Sequence, residues 1–312
     1  MSPAINATLS CNMAGSAHPS QLLSVETLAH IHSLDVAARA VVDGLNAGAH
    51  RSPFKGHSVD FADHRPYVPG DDLRHLDWKV LGRRDRLVLK RYEAETDFAC
   101  TLIVDGSGSM AYQGDGMAMS KYRYAAIMAA TLSYLTLTQQ DRAGLVLFTD
   151  HQILEHRPAQ HDQLARICAS LEEHQPSLGT NTAKAIEQVA APSYRRGLVV
   201  LLSDCFTDLE ELRQVFDRLR LRGHDVALVW ILDPQEVDLS VPAVSRFQGL
   251  EGDGELVAEP RALRQAYRQE VMKHRLALEK MCRSRRIAWV EAHTNQAPQH
   301  PLNELLMKLQ HA

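Results

Sequence analysis

The sequence predicts a mostly parallel α/β sheet with helices on both faces, preceded by an N-terminal accessory region. Three observations carry that expectation. From Phe98 onward, apolar runs of strand length alternate with segments of helical period, the pattern of βαβ units. Two of the runs, LIVD at 102–105 and GLVVLLSD at 197–204, are almost continuously apolar and end in an acid. Strands buried on both faces read this way. The loops after them carry carboxylates and hydroxyls, and ligands in open α/β sheets sit outside the carboxyl ends of strands.

The elements follow in order. Leu22, Leu23, Leu28, Ile31, Leu34, Val36, Ala37, Val41 and Leu45 recur at helical spacing, so one or two helices precede the sheet. Pro66, Pro69 and Gly70 then break any regular element, and Leu87–Leu89 suggest a short strand. Phe98–Asp105 is the first sheet strand. Lys121–Thr138 places Ala125, Met128, Leu132 and Leu135 on one face, as an amphipathic helix does. Arg142–Phe148 is a strand, and the brief turn at Thr149–Asp150 makes His151–His156 its antiparallel neighbour.

Helices are expected over His161–His174, after Thr180, and around Leu209–Leu219. Strands are expected over Gly197–Asp204 and Asp225–Leu232. Gly249, Gly252 and Gly254 mark a hairpin within Phe247–Val257. A long helix through Leu263–Met281, a strand at Ile287–Glu291 and a helix over Leu302–Leu309 complete the chain. The division is a flexible leader at 1–20, an accessory region at 21–96 and the sheet domain at 97–312.

Composition narrows the class. The 312 residues are 45% hydrophobic and 23% charged, with a formal net charge of -4. That is an ordinary globular balance and argues against a general nucleic-acid binder. No run approaches the roughly 18 apolar residues that a membrane span needs. The first 20 residues have no basic n-region or apolar h-region of a signal peptide. Five scattered cysteines without a C-x-x-C pair read as reduced thiols in a cytoplasmic protein. Peripheral membrane contact stays open.

The chemistry concentrates in three loops. Asp105, Ser107 and Ser109 alternate in a D-x-S-x-S arrangement after the first strand. Thr180 follows Gly179 in a second loop, with Thr182 as the second hydroxyl there. Asp204 ends the strand over 197–204. These groups offer only oxygen, which suits a hard cation such as Mg2+. Each also has a purely structural use: Asp105, Thr180 and Asp204 as helix caps, and the serines as turn residues.

At these five positions the sequence resembles the von Willebrand factor type A domain and its metal-ion-dependent adhesion site. The resemblance implies a Rossmann-like fold over 97–312. It also implies one Mg2+ or Mn2+ held by Asp105, Ser107, Ser109, Thr180 and Asp204. A second stretch reads R-x-Y-x-x-G-D-D-x-R-x-x-D-W, as Arg65, Tyr67, Gly70, Asp71, Asp72, Arg74, Asp77 and Trp78. It is similar to a bacterial family of uncharacterised proteins with a von Willebrand A-like domain, associated with MoxR-type AAA+ ATPases. That likeness implies a non-catalytic interaction module, partner or adaptor of the ATPase, acting on client proteins in a chaperone-like way. The Arg65–Trp78 block would serve partner contact or subdomain structure.

Enzyme readings find less support. No G-x-S-x-G elbow surrounds Ser107, no P-loop is present and no H-E-x-x-H occurs. A metal-dependent phosphoester hydrolase, with Asp105 and Asp204 holding the ion, is the alternative. A phosphatase that uses an aspartyl nucleophile is a different case and normally has a second acid two residues on, where Ser107 stands here.

Overall fold

Alternation along the central strands builds two cores, one on each face of a single sheet. The computed structural model describes residues 24–48, 63–66, 80, 82, 86–91, 98–149, 152–177, 182–189, 191, 196–239, 245–248, 255–258 and 260–310. Six strands form the sheet: β3 (Ala99–Asp105), β4 (Arg142–Phe148), β5 (Ile153–Ala159), β6 (Leu198–Ser203), β7 (Asp225–Leu232) and β10 (Ala288–His293). Their order is β10-β7-β6-β3-β4-β5. All neighbours run parallel except β5, which pairs antiparallel with β4 at the edge. The mostly parallel α/β sheet is as the sequence predicts. β5 runs on to Ala159, three residues past the expected end, because its register shifts opposite Ala143–Leu145. Pro158 sits against Gly144 there.

Two short antiparallel pairs lie apart from this sheet. β1 (Asp63–Pro66) pairs with β2 (Val88–Arg91), and β8 (Ser245–Gln248) with β9 (Glu255–Ala258). The second pair is the expected hairpin.

One face of the sheet carries Leu102, Val104, Val200, Leu202, Val229 and Ile231 into a core with α3 (Lys121–Thr138), α4 (Gln163–Glu173) and α9 (Gln299–Gln310). The opposite face carries Ile103, Val199, Leu201, Leu228 and Trp230. These pack on α5 (Thr182–Val189), α6 (Leu209–Leu221) and the C-terminal half of α8 (Pro260–Ser284). The period of two that sorts these residues is the pleat of the strand.

The amphipathic reading of α3 needs correction. The helix is buried on nearly every side, Tyr122, Ala126 and Ala129 included. A second layer covers it: α1 (Val25–Ala29) and α2 (Leu34–Gly48) bring Leu28, Leu34, Ala38 and Val41 into the same core. Polar contacts lock this layer. Glu172 Oε1 accepts the Leu34 N–H at 2.6 Å, capping α2 from outside its own chain segment. Arg123 on α3 donates to the carbonyls of Ile31 at 2.6 Å and His32 at 2.9 Å.

The topology fixes where a ligand would go. The chain leaves β3 for β4 on one side and later returns to β6 on the other. The carboxyl ends of β3 and β6 therefore flank a topological switch point, where the loops diverge and leave a crevice. Asp105 and Asp204 stand at those two ends.

Candidate metal centre

Asp105 is the last residue of β3 and is buried. Its Oδ1 accepts the Ser107 N–H at 3.0 Å, and its Oδ2 accepts the Ser203 hydroxyl at 2.6 Å. Ser203 Oγ also accepts the Cys205 N–H at 2.9 Å, tying the two strand ends together. Ser107 precedes a single 3-10 turn, Gly108–Ala111. Its hydroxyl lies 3.1 Å from that of Ser109, so both point to one place. The Gly106 carbonyl accepts from Ser177 N–H at 3.2 Å and faces His174 Nε2 at 3.0 Å, which pins the loop from a second side. A side chain at Gly106 would strike that imidazole, since a Cβ would lie 2.4 Å from Nε2.

Asp204 does not cap α6. That cap is Asp208, which accepts the Glu210 N–H at 2.7 Å. The buried carboxylate of Asp204 instead accepts from Lys121 Nζ at 2.8 Å through Oδ2, and from the Phe206 N–H at 3.3 Å through Oδ1. Cys205 follows in the left-handed region, φ 53°, a turn few non-glycine residues adopt. The Trp230 indole N–H holds the Asp204 carbonyl at 2.7 Å and supports that turn.

Lys121 opens α3 and is fully buried. Its ammonium also reaches Glu236 Oε1 at 2.7 Å. Glu236 belongs to the short helix α7 (Pro234–Asp238), where it completes a capping box with Asp233. The rings of Phe206 and Tyr112 lie 5.3 and 5.9 Å from Nζ, within cation–π range.

Burial and charge act together here. Burial, with the neighbouring Asp204 carboxylate second, pushes the Asp105 carboxyl up to about 6. Burial also raises Glu236, against the pull of Lys121. Burial pulls Lys121 down, but Asp204 and Glu236 outweigh it and leave the ammonium above its ordinary value. A cation near Asp105 would offset the burial and the neighbouring Asp204 charge that hold its proton on. The donor set therefore fits a divalent ion of the Mg2+ class: two converging hydroxyls with two carboxylates beside them, all oxygen.

Thr180, the expected third hydroxyl, lies outside the described residues. Thr182, its neighbour in that loop, is buried at the start of α5. Of the Arg65–Trp78 block, Arg65 falls on β1, while Tyr67, Gly70, Asp71, Asp72, Arg74, Asp77 and Trp78 lie outside the described residues, as does the leader at 1–20. No group of three or more His, Cys, Asp or Glu side chains suited to a metal occurs among the described residues. No described helix is long and apolar enough to cross a membrane. Cys100, Cys168, Cys205 and Cys282 are buried and free.

Sequence reasoning missed Ser203, Lys121 and Glu236. A signal for Lys121 existed. It is a lysine at the head of a helix whose first turns are otherwise rich in Ala, Tyr, Ile and Met, and such a charge needs a partner.

Fold and site together define an α/β-sheet protein with an oxygen-donor rim at its topological switch point. The chain belongs to the family described as "Protein of unknown function DUF58", whose model matches residues 63–277. It is 28% identical over 218 residues to the uncharacterized protein Rv1480 of Mycobacterium tuberculosis, covering 68% of this chain and 67% of that protein. The uncharacterized protein Mb1516 of Mycobacterium bovis matches to the same extent. Among solved structures, the conserved hypothetical protein BatB of Bacteroides thetaiotaomicron aligns with a TM-score of 0.46 at 15% identity, over 68% of this chain and 99% of that one. The SpRpn10 VWA domain aligns with a TM-score of 0.44 at 11% identity, over 66% and 94%.

Proposed function

We propose that this protein is a non-catalytic, Mg2+-dependent protein-interaction module, and that its partner is a MoxR-type AAA+ ATPase or a client of that ATPase. The observation that carries the reading is the pair of converging hydroxyls, Ser107 and Ser109 at 3.1 Å, beside the buried Asp105 and Asp204. Ser107 and Ser109 would hold Mg2+ or Mn2+ directly, with Thr180 as the third hydroxyl. Asp105 and Asp204 would act mainly through waters. An ion held largely by neutral oxygens keeps much of its field and attracts a carboxylate from outside, here an Asp or Glu of the partner.

Phe206 supports the protein-binding side of the reading. It is 46% exposed, two residues from Asp204, and offers an apolar anchor at the mouth of the site. Aromatic anchors beside polar groups carry much of the energy of protein interfaces. The ATPase as partner rests on the resemblance of the Arg65–Trp78 block and the D-x-S-x-S loop, and the cytoplasm as the place rests on the scattered cysteines without a C-x-x-C pair.

The test is surface plasmon resonance against the MoxR-type ATPase of the same organism. Association should weaken at least about tenfold in EDTA and equally with Asp105→Ala, while circular dichroism stays unchanged. Binding that ignores both EDTA and Asp105→Ala would overturn the metal-bridged mechanism.

A further inference from the structure

Among the described residues, Asp105, Ser107, Ser109 and Asp204 make up the candidate metal centre, and one more charged group is built into it. Lys121 places an ammonium 2.8 Å from Asp204 Oδ2 and 2.7 Å from Glu236 Oε1, with no side-chain exposure. Asp204 Oδ1 is engaged as well, by the Phe206 N–H. Neither oxygen of this carboxylate is therefore free to turn toward an incoming ion without sharing.

The lysine is also held in place. Its backbone N–H donates to the Tyr112 carbonyl at 3.0 Å, and Ser120 caps the turn it starts by accepting the Arg123 N–H at 3.2 Å. The rings of Phe206 and Tyr112 close over the ammonium. A tethered cation of this kind cannot diffuse away, unlike a bound ion.

We propose that the Lys121 ammonium is a resident counter-ion for Asp204 that competes with the divalent metal for this carboxylate, and so sets the metal affinity of the rim. The inference rests on the metal-binding part of the proposed function. Two effects act in the same direction. The ammonium neutralises one of the two carboxylates that would attract the ion, and it repels the ion across a medium of low dielectric. Glu236 fixes the lysine from behind and joins it to α7. The metal-free rim is thereby neutralised from within and keeps its shape.

A rival role makes the opposite prediction. If Lys121 only orients Asp204 for the metal, removing it must weaken metal binding. The sign of the change separates the two.

The experiment uses the full chain and Mg2+ alone as probe. Lys121→Met leaves the buried Asp204 and the part-buried Glu236 without their shared cation. The double variant Lys121→Met/Glu236→Gln removes one charge of each sign, keeps both side-chain lengths and preserves an acceptor for the Asp233 N–H. Calorimetric titration and thermal melts with Mg2+ or EDTA are read for wild type and double variant. We expect the double variant to bind Mg2+ at least about tenfold more tightly, and its melting temperature to depend on Mg2+ more steeply.

A folded double variant that binds Mg2+ equally or less tightly overturns the proposal and leaves Lys121 an orienting role. A double variant that stays unfolded even in excess Mg2+ also overturns it, because the ion then cannot take over from the ammonium. Binding by the double variant but not by wild type sustains the proposal and removes Mg2+ dependence from the native function. Absence of binding by both folded proteins removes both readings.

Discussion

Asp105 ends the central strand with both oxygens engaged, and its titration offers a direct view of the site's electrostatics. Its carboxyl, at 3.8 in its ordinary state, is pushed up to about 6 in the folded, metal-free protein. Between these values the native state binds more protons than the unfolded one, so stability falls as pH rises. The contribution of this group is fully present below about pH 4 and is lost as pH passes about 6, up to about 3 kcal/mol. Asp105→Asn has no such proton to lose. In EDTA, its stability relative to wild type should rise by about 2–3 kcal/mol from pH 4 to pH 7, read by urea unfolding. A difference that stays flat over that range would mean that Asp105 does not titrate there. The placement of Asp105, Ser107, Ser109 and Asp204 at the rim was legible in the sequence because a short motif and two strand ends announce it. Lys121 was not, because its partners lie 83 and 115 positions away and pairing at such range leaves no local trace.

At the scale of elements, the strands were the most legible part. β3, β6 and β7 are apolar on both faces, and nothing but a doubly covered sheet tolerates such runs. The contact between β3 and β6 depends on one glycine. A Cβ at Gly197 would lie 1.9 Å from the Ala99 carbonyl oxygen and 2.8 Å from its carbon, both backbone atoms that cannot rotate away. Gly197→Ala should therefore push apart the start of the two strands whose far ends carry Asp105 and Asp204. The expected loss is about 3 kcal/mol of unfolding free energy, the upper range for a single substitution. A loss under about 1 kcal/mol in guanidinium titration would contradict so close an approach. The helix α3 was harder to read, since Ala and Met on its outer face look neutral until a covering layer is known.

That covering layer decides how the whole molecule holds together. Leu34, Ala38 and Val41 of α2 share one core with α3, α4 and the sheet, so α2 should unfold with them. Leu34→Ala, at a fully buried position, should cost about 2–5 kcal/mol. It should also lower the same single unfolding transition that Val200→Ala lowers in the sheet. Two transitions, with only one sensitive to Leu34→Ala, would show α2 to be an independent unit. The expected boundary near residue 97 followed the onset of strand–helix alternation. Periodicity alone cannot say that an earlier helix docks on a later one.

The same layer sets an order of events during synthesis. α2 leaves the ribosome before α3 and α4, which it covers, and before α9, whose Gln299 side chain lies against Gly44 of α2. At about 5–20 residues per second, roughly ten to fifty seconds separate the emergence of α2 from that of α9. Until α3 emerges, Leu34, Ala37, Val41 and their neighbours lack the helix they pack on, and until α9 emerges their cover is incomplete. The earliest of these helices is thus among the last to be completely shielded, and a nascent-chain chaperone that grips apolar helices would find its first target there.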